Sequence, residues 1–174
     1  MIEVLEYDPA WAALAAREID EVRAALAGRI ADVEHVGSTA VPGLAAKPVI
    51  DLMAAADDLD AVARDEDVLG SMGYRRIETG MTGRLFYRRE GAPVAYHLHV
   101  VAAPTWATRN ERLLRDHLLA TPADRDAYGR LKRELAGATG DGLEYTRGKT
   151  GLIQRMVDEA RAARGLPLVD VWED

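Results

Sequence analysis

Residues 49–56 read VIDLMAAA, an apolar run broken by a single aspartate, and this segment constrains the chain more than any other. It has the length and composition of a β-strand covered on both faces. A carboxylate in such a place costs several kcal/mol to keep charged unless it is paired or bound to a cation. Asp51 therefore needs a partner, and a functional site is one way to supply it.

The flanking segments define the rest of the order. Asp8 and Pro9 offer an N-cap and a first-turn proline, and Trp11, Leu14, Ala15, Ile19, Val22 and Leu26 follow at helical spacing up to Gly28. Ile30 to Val36 reads as a short strand running into GSTAVPGLAAKP, a loop with at most one turn of helix. Asp57 to Met72 has helical spacing. RLFYRRE and VAYHLHVV then form an antiparallel hairpin across Gly91-Ala92-Pro93. Three helices follow, over Thr105 to Leu119, Ala123 to Ala138 after a Thr121-Pro122 cap, and about Thr146 to Arg164. Thr105 is the expected N-cap of the first, and Trp106, Leu113, Leu114 and Leu118 its buried stripe. The tail GLPLVDVWED, with Trp172, is expected to dock on the domain or on a partner subunit. The order predicts an α+β fold with a helical C-terminal half, and 174 residues without an internal repeat predict one domain over 1–174.

Composition closes several functional classes. A formal charge of −7 argues against broad capture of duplex nucleic acid, while leaving room for a local basic pocket. The absence of cysteine rules out disulfides, thiolate metal sites and cysteine nucleophiles. The acidic, proline-broken N-terminus is unlike a signal peptide, and no apolar run approaches the roughly 18 residues of a membrane span. A cytoplasmic protein without a membrane partner is expected.

The polar residues near Asp51 form a pattern. His35-Val36-Gly37-Ser38 precedes Asp51 by a spacing of 13 residues from Ser38. His97 and His99 lie two apart on a strand, hence on one face, and with Asp51 would make a two-histidine, one-carboxylate metal site. That donor set suits Zn, Mn, Fe or Ni better than the all-oxygen shell of Mg. His35 stands open as a further ligand, as an acid/base or as a packed strand residue. Lys47 could meet a phosphate, and Arg84 and Arg88, four apart on a strand, share a face. Tyr128 with Lys132 and Tyr145 with Lys149 have a spacing that puts each pair on one side of a helix.

EHVGSTAVPGLAAKPVIDL, together with GRLFYRR, HLHVV, WATRNERLLRDHLL, YGRLKRELA and YTRGK, resembles the GrpB family over nearly the whole chain. The resemblance implies a nucleotidyltransferase-like mixed β-sheet with flanking helices. In that superfamily a Gly-Ser pair, here Gly37 and Ser38, cradles phosphate, and acids on the next strand hold a divalent metal. The metal strand usually carries a second acid two residues on, where this chain has Met53. Ser38, Asp51 and His35 are thus the catalytic candidates. Gly37, Ser38, Lys47, Arg84, Arg88, Arg115, Lys132 and Lys149 are the phosphate-binding candidates, and Asp51, His97 and His99 the metal ligands. The expected ligands are a divalent metal, Mg, Mn or Zn-like, and a nucleotide or other anionic small molecule. Three functions follow from this set: nucleotidyl transfer, metal-dependent hydrolysis, cyclisation or ligation, and nucleotide or coenzyme binding without turnover.

Overall fold

The computed structural model describes residues 2–172, and these gather into two compact units, each built from separated stretches of chain. One comprises Pro9–Val36 and Val49–Ala107; the other comprises the N-terminal residues to Asp8, Gly37–Pro48 and the chain from Thr108.

The first is a sheet unit. It contains α1 (Ala10–Ala25), β1 (Asp32–Val36), β2 (Val49–Ala56), α2 (Leu59–Arg64), α3 (Asp67–Ser71), β3 (Arg75–Arg76), β4 (Arg84–Arg89) and β5 (Ala95–Ala102). The strand order is β1-β2-β5-β4-β3, with β2 and β5 parallel and the other neighbours antiparallel. The parallel pair is joined by a long connection through α2, α3 and β4, as parallel strands require. Ile50, Leu52, Met53, Ala54 and Ala56 are wholly buried, so β2 is covered on both faces as its composition demands.

Four local features differ from the sequence reading. The single helix expected over 57–72 breaks at Asp65 and Glu66. Both acids are used elsewhere in the unit, Asp65 by Arg29 and the Glu66 carboxylate by the Tyr87 hydroxyl at 3.0 Å. The strand β3, two residues long, is too short to show any alternation in sequence. Thr105 caps no helix: it lies in a 3-10 segment, Ala103–Thr108, and its hydroxyl donates to the Ala102 carbonyl at 2.8 Å. Trp106, in the same segment, therefore misses the helical stripe and packs against Val36, Met53 and Val101.

A buried carboxylate in this unit is fully accounted for. Glu18 on α1 is 2% exposed, accepts a 2.7 Å hydrogen bond from the Tyr74 hydroxyl and pairs with Arg89. Burial first, then this hydrogen bond, keeps the Tyr74 hydroxyl protonated well above the usual phenol range.

The second is a helical unit of α4 (Asn110–Ala120), α5 (Pro122–Ala138) and α6 (Gly142–Ala162), with the 37–48 segment threaded into its core. Val41 and Leu44 of that segment pack with Leu118, Tyr128, Ile153, Met156 and Val157. A bridge between Leu5 and Ala46 holds the segment from the other side. The last helix begins four residues before the expected Thr146, because Asp141 accepts from the Leu143 and Glu144 amides at 2.8 and 2.9 Å. The tail docks on this helix: the Trp172 indole donates to Thr150 Oγ1 at 2.9 Å, and Gln154 bonds both Val169 and Val171. Among the described residues no helix is long and apolar enough to cross a membrane.

Candidate functional site

Strand pleating brings one polar group together in the sheet unit. Cross-strand register places Asp51 and Met53 of β2 on the same face as Glu34 and Val36 of β1, and as His97 and His99 of β5. The same register puts Arg84, Phe86 and Arg88 of β4 on this face. Asp51 Oδ1 lies 3.2 Å from His97 Nδ1 and 4.0 Å from His99 Nε2. The three donor atoms fall within 4.8 Å of one another, close enough for one ion. Phe86, the only phenylalanine of the chain, stacks on His99 at 4.6 Å and meets His97 edge-on at 5.2 Å, which fixes both rings.

The donor chemistry fits a cation in part. Two imidazoles and one carboxylate suit Mn, Fe or Zn. However, Arg84 Nη1 lies 3.3 Å from His99 Nδ1. A guanidinium can only donate, so Nδ1 accepts and the ring hydrogen sits on Nε2, the atom nearest Asp51. Ligation through Nε2 would move that hydrogen to Nδ1, against the Arg84 cation. Asp51 and His97 can thus ligate as they stand, while His99 joins them only if Arg84 turns away.

Two expected residues do not join this cluster. His35 pairs across β1 and β2 with Leu52, so it faces the opposite side of the sheet from Asp51. Arg88 is beside His97 in register, but its guanidinium is held by Glu90 at 2.9 Å and exposed. Met53, where a second acid would be expected, is fully buried against Val36 and Val101. Glu34 and Phe86 were not singled out from the sequence; both became visible only through cross-strand register.

The helical unit holds a second polar group. Of the 22 lysines and arginines in the chain only three are lysines, Lys47, Lys132 and Lys149, and all three surround two tyrosines of this unit. Lys47 Nζ and Lys149 Nζ each lie 4.4 Å from the centre of the Tyr145 ring, and Lys132 Nζ lies 4.4 Å from that of Tyr128. Lys132 is 2% exposed and its Nζ has no hydrogen-bond partner. Burial, then the charges of Lys149 and Arg133, bring its pKa down to about 7. Burial also lowers Lys47 and raises the Tyr145 hydroxyl to about 12, so Tyr145 supplies no negative charge to its two ammonium neighbours at neutral pH. Arg133 is turned to Glu6, at 2.8 and 2.7 Å.

The helix pair that carries the lysines is closely apposed. A Cβ at Gly148 would come within 2.5 Å of the Leu135 side chain, so the glycine lets α6 approach α5 and places the adjacent Lys149. Gly37, at the head of the 37–48 segment, has φ of +74°, a conformation that favours glycine, and Ser38 opens a 3-10 turn over Ser38–Ala40. Arg115, expected among the anion-binding residues, donates to the neighbouring Asp116 at 2.9 Å.

His117, Asp124 and Glu159 form a further potential ligand group, one residue from each helix. Arg155 already fills it, bonding Asp124 at 2.8 Å and Glu159 at 2.7 Å. Arg155 first, then His117, holds the Asp124 carboxyl below its ordinary range. This group ties α4, α5 and α6 together and needs no ion.

Comparison with known proteins agrees with the sequence resemblance. The family model described as GrpB protein matches residues 1–159. Conserved protein GrpB from Enterococcus faecalis superposes with a TM-score of 0.86 at 31% identity, covering 94% of this chain and 99% of that one. A UPF0157 protein of Halalkalibacterium halodurans is 37% identical over 166 residues, 92% of this chain and 83% of the relative. A UPF0157 protein of Bacillus subtilis is 28% identical over 92% of this chain, which spans 47% of that longer relative. A chain of the GLD-2/RNP-8 complex shares the fold, with a TM-score of 0.57 at 16% identity, over 88% of this chain and 60% of that one.

Proposed function

The chain belongs to the GrpB family and has a nucleotidyltransferase-like α+β fold, and on that basis we propose that it is a cytoplasmic enzyme acting on a phosphorylated small molecule, with a nucleotide as the first candidate. Taken separately, the lysines of the helical unit are the phosphate contacts of this reading, and Asp51 with His97 of the sheet unit is its cation site. One observation carries this reading: all three lysines converge on two tyrosine rings, and the buried one has no hydrogen-bond partner. Burying the Lys132 amine without a hydrogen-bond acceptor is unfavourable, and a phosphate oxygen would supply that acceptor. Lysine is a well-suited phosphate donor, as a compact ammonium with three N–H groups. Gly37, in its left-handed conformation, and Ser38 are the further phosphate contacts of this reading.

A divalent ion at Asp51 would polarise a phosphoryl or carbonyl oxygen. Around it, Phe86 keeps the imidazoles in place and Arg84 adds a fixed positive charge beside His99. The burial of Met53 in the core favours a second reading, in which the same cation serves a hydrolysis, cyclisation or ligation instead of nucleotidyl transfer.

Two binding measurements test the proposal separately. ATP and pyrophosphate should bind the wild type, and Lys149→Met should weaken both at least about tenfold, the loss of one charge-assisted hydrogen bond. Manganese, followed by paramagnetic resonance, should bind the wild type and be lost in Asp51→Asn and His97→Ala. A protein that binds neither phosphorylated compounds nor a divalent ion would end the enzyme reading.

A further inference from the structure

What His99 can offer a cation is decided on the neighbouring strand. Register sets Phe86 of β4 directly opposite His99 and Arg84 diagonally beside it. Phe86 stacks on the imidazole with the two planes 20° apart, which holds the ring, and Arg84 Nη1 reaches His99 Nδ1 at 3.3 Å. A guanidinium has only donors and keeps its protons at any ordinary pH. Whatever else the ring touches, a nitrogen that accepts from it carries no hydrogen, so the ring hydrogen sits on Nε2. That is the nitrogen nearest Asp51, 4.0 Å from Oδ1.

This is the reverse of what a metal-binding histidine needs. Such a ring ligates through one nitrogen and donates the hydrogen of the other to a carboxylate, a carbonyl or water. His99 instead meets a donor at its outer nitrogen and keeps its hydrogen on the inner one, which therefore has no lone pair to give. The two histidines differ in this respect. Arg88 is the direct partner of His97 in register, yet its guanidinium is turned to Glu90 at 2.9 Å, and His97 presents Nδ1 to Asp51 at 3.2 Å.

We propose that Arg84 sets the metal preference of this site: by donating to His99 Nδ1 it keeps that imidazole out of the ion's shell and narrows the advantage of zinc over manganese. The inference rests on the reading of Asp51 and His97 as a cation site. With Arg84 in place the protein supplies one imidazole and one carboxylate, and oxygen atoms of water or of a phosphorylated ligand complete the shell. Imidazole suits zinc, whereas carboxylate and water suit manganese. Each imidazole added to the shell therefore favours zinc more than manganese, and the second one is withheld here by a residue that touches no ion itself.

The test uses the full chain labelled with 15N in its four histidines, whose ring nitrogens report by NMR whether each bears a hydrogen or a metal. Signals are assigned by their loss in His97→Ala and His99→Ala. In the free protein His99 should carry its hydrogen on Nε2, and saturating zinc should shift the His97 ring while His99 keeps that hydrogen. In Arg84→Met zinc should reach His99 as well. Removing a positive charge strengthens both ions, so the ratio of affinities is the quantity read: zinc should gain at least about tenfold over manganese, the usual effect of changing a partner of a ligating histidine. Should Arg84→Met fail to fold, His99→Ala carries the test, and it should leave zinc affinity unchanged where His97→Ala loses it. Zinc on His99 in the wild type, or an unchanged zinc-to-manganese ratio in folded Arg84→Met, overturns the inference and leaves the Asp51 and His97 site intact. If the wild type binds neither zinc nor manganese, the cation reading itself fails.

Discussion

At the scale of single residues, Lys132 should weaken the fold in the absence of ligand. Its pKa of about 7 in the folded chain lies below the ordinary lysine value, so the unfolded chain binds more protons between these limits. Stability of the free protein therefore rises with pH above about 7, and this contribution is absent below it. Lys132→Met, similar in length and uncharged, should raise the melting temperature of the free protein, and by more at pH 6 than at pH 9. Calorimetry at the two pH values checks this; an unchanged or lower melting temperature at pH 6 would mean that the ammonium is compensated after all. Parts of this chemistry were legible in sequence. His97 and His99 share a face by simple alternation, and each Tyr-Lys pair shares a helix side by its spacing. The burial of Lys132 was not legible, because it depends on three segments meeting in space. The side of the sheet that His35 takes was not legible for a related reason: alternation fixes which residues of one strand face together, but only register between β1 and β2 shows that His35 goes with Leu52 and Val36 with Asp51.

At the scale of elements, the contact between α5 and α6 is the feature most open to a direct test. Gly148 lies within α6, where glycine costs about 1 kcal/mol relative to alanine, so its presence requires a reason. The reason is Leu135, whose methyl groups occupy the space a side chain would need. Gly148→Val should cost about 1–3 kcal/mol through overpacking, and should also weaken pyrophosphate binding, because Lys149 is the next residue. Chemical denaturation with a parallel titration separates the two effects; normal binding in a destabilised variant would show that the lysines tolerate a shift of the helix. Helices and strands were mostly visible from periodicity, since β2, β4, β5 and α5 fall close to where the pattern puts them. Their ends were less so. The start of α6 depends on a capping aspartate in a glycine-bearing stretch, and the break between α2 and α3 coincides with two acids claimed by Arg29 and Tyr87.

At the scale of the molecule, each unit draws on stretches that the sequence separates. The helical unit needs Val41 and Leu44, both about 1% exposed or less, from a segment that lies between two strands of the sheet unit. Burying two such side chains contributes on the order of 1.5–3 kcal/mol each, a large share of the roughly 5–15 kcal/mol that stabilises a domain. A peptide beginning at Thr108 should therefore show little cooperative unfolding, measured by circular dichroism. A sharp transition would show that the three helices suffice. This interleaving was hidden in sequence because GSTAVPGLAAKP reads locally as a loop, and nothing in its own pattern says that its valine and leucine fill a helical core. The same arrangement can be restated in time. A ribosome releases the 37–48 segment together with the strands, and the helices that enclose it only afterwards. The growing chain thus possesses Asp51, His97 and His99 before it possesses Lys132 and Lys149, the lysines that gather around Tyr128 and Tyr145.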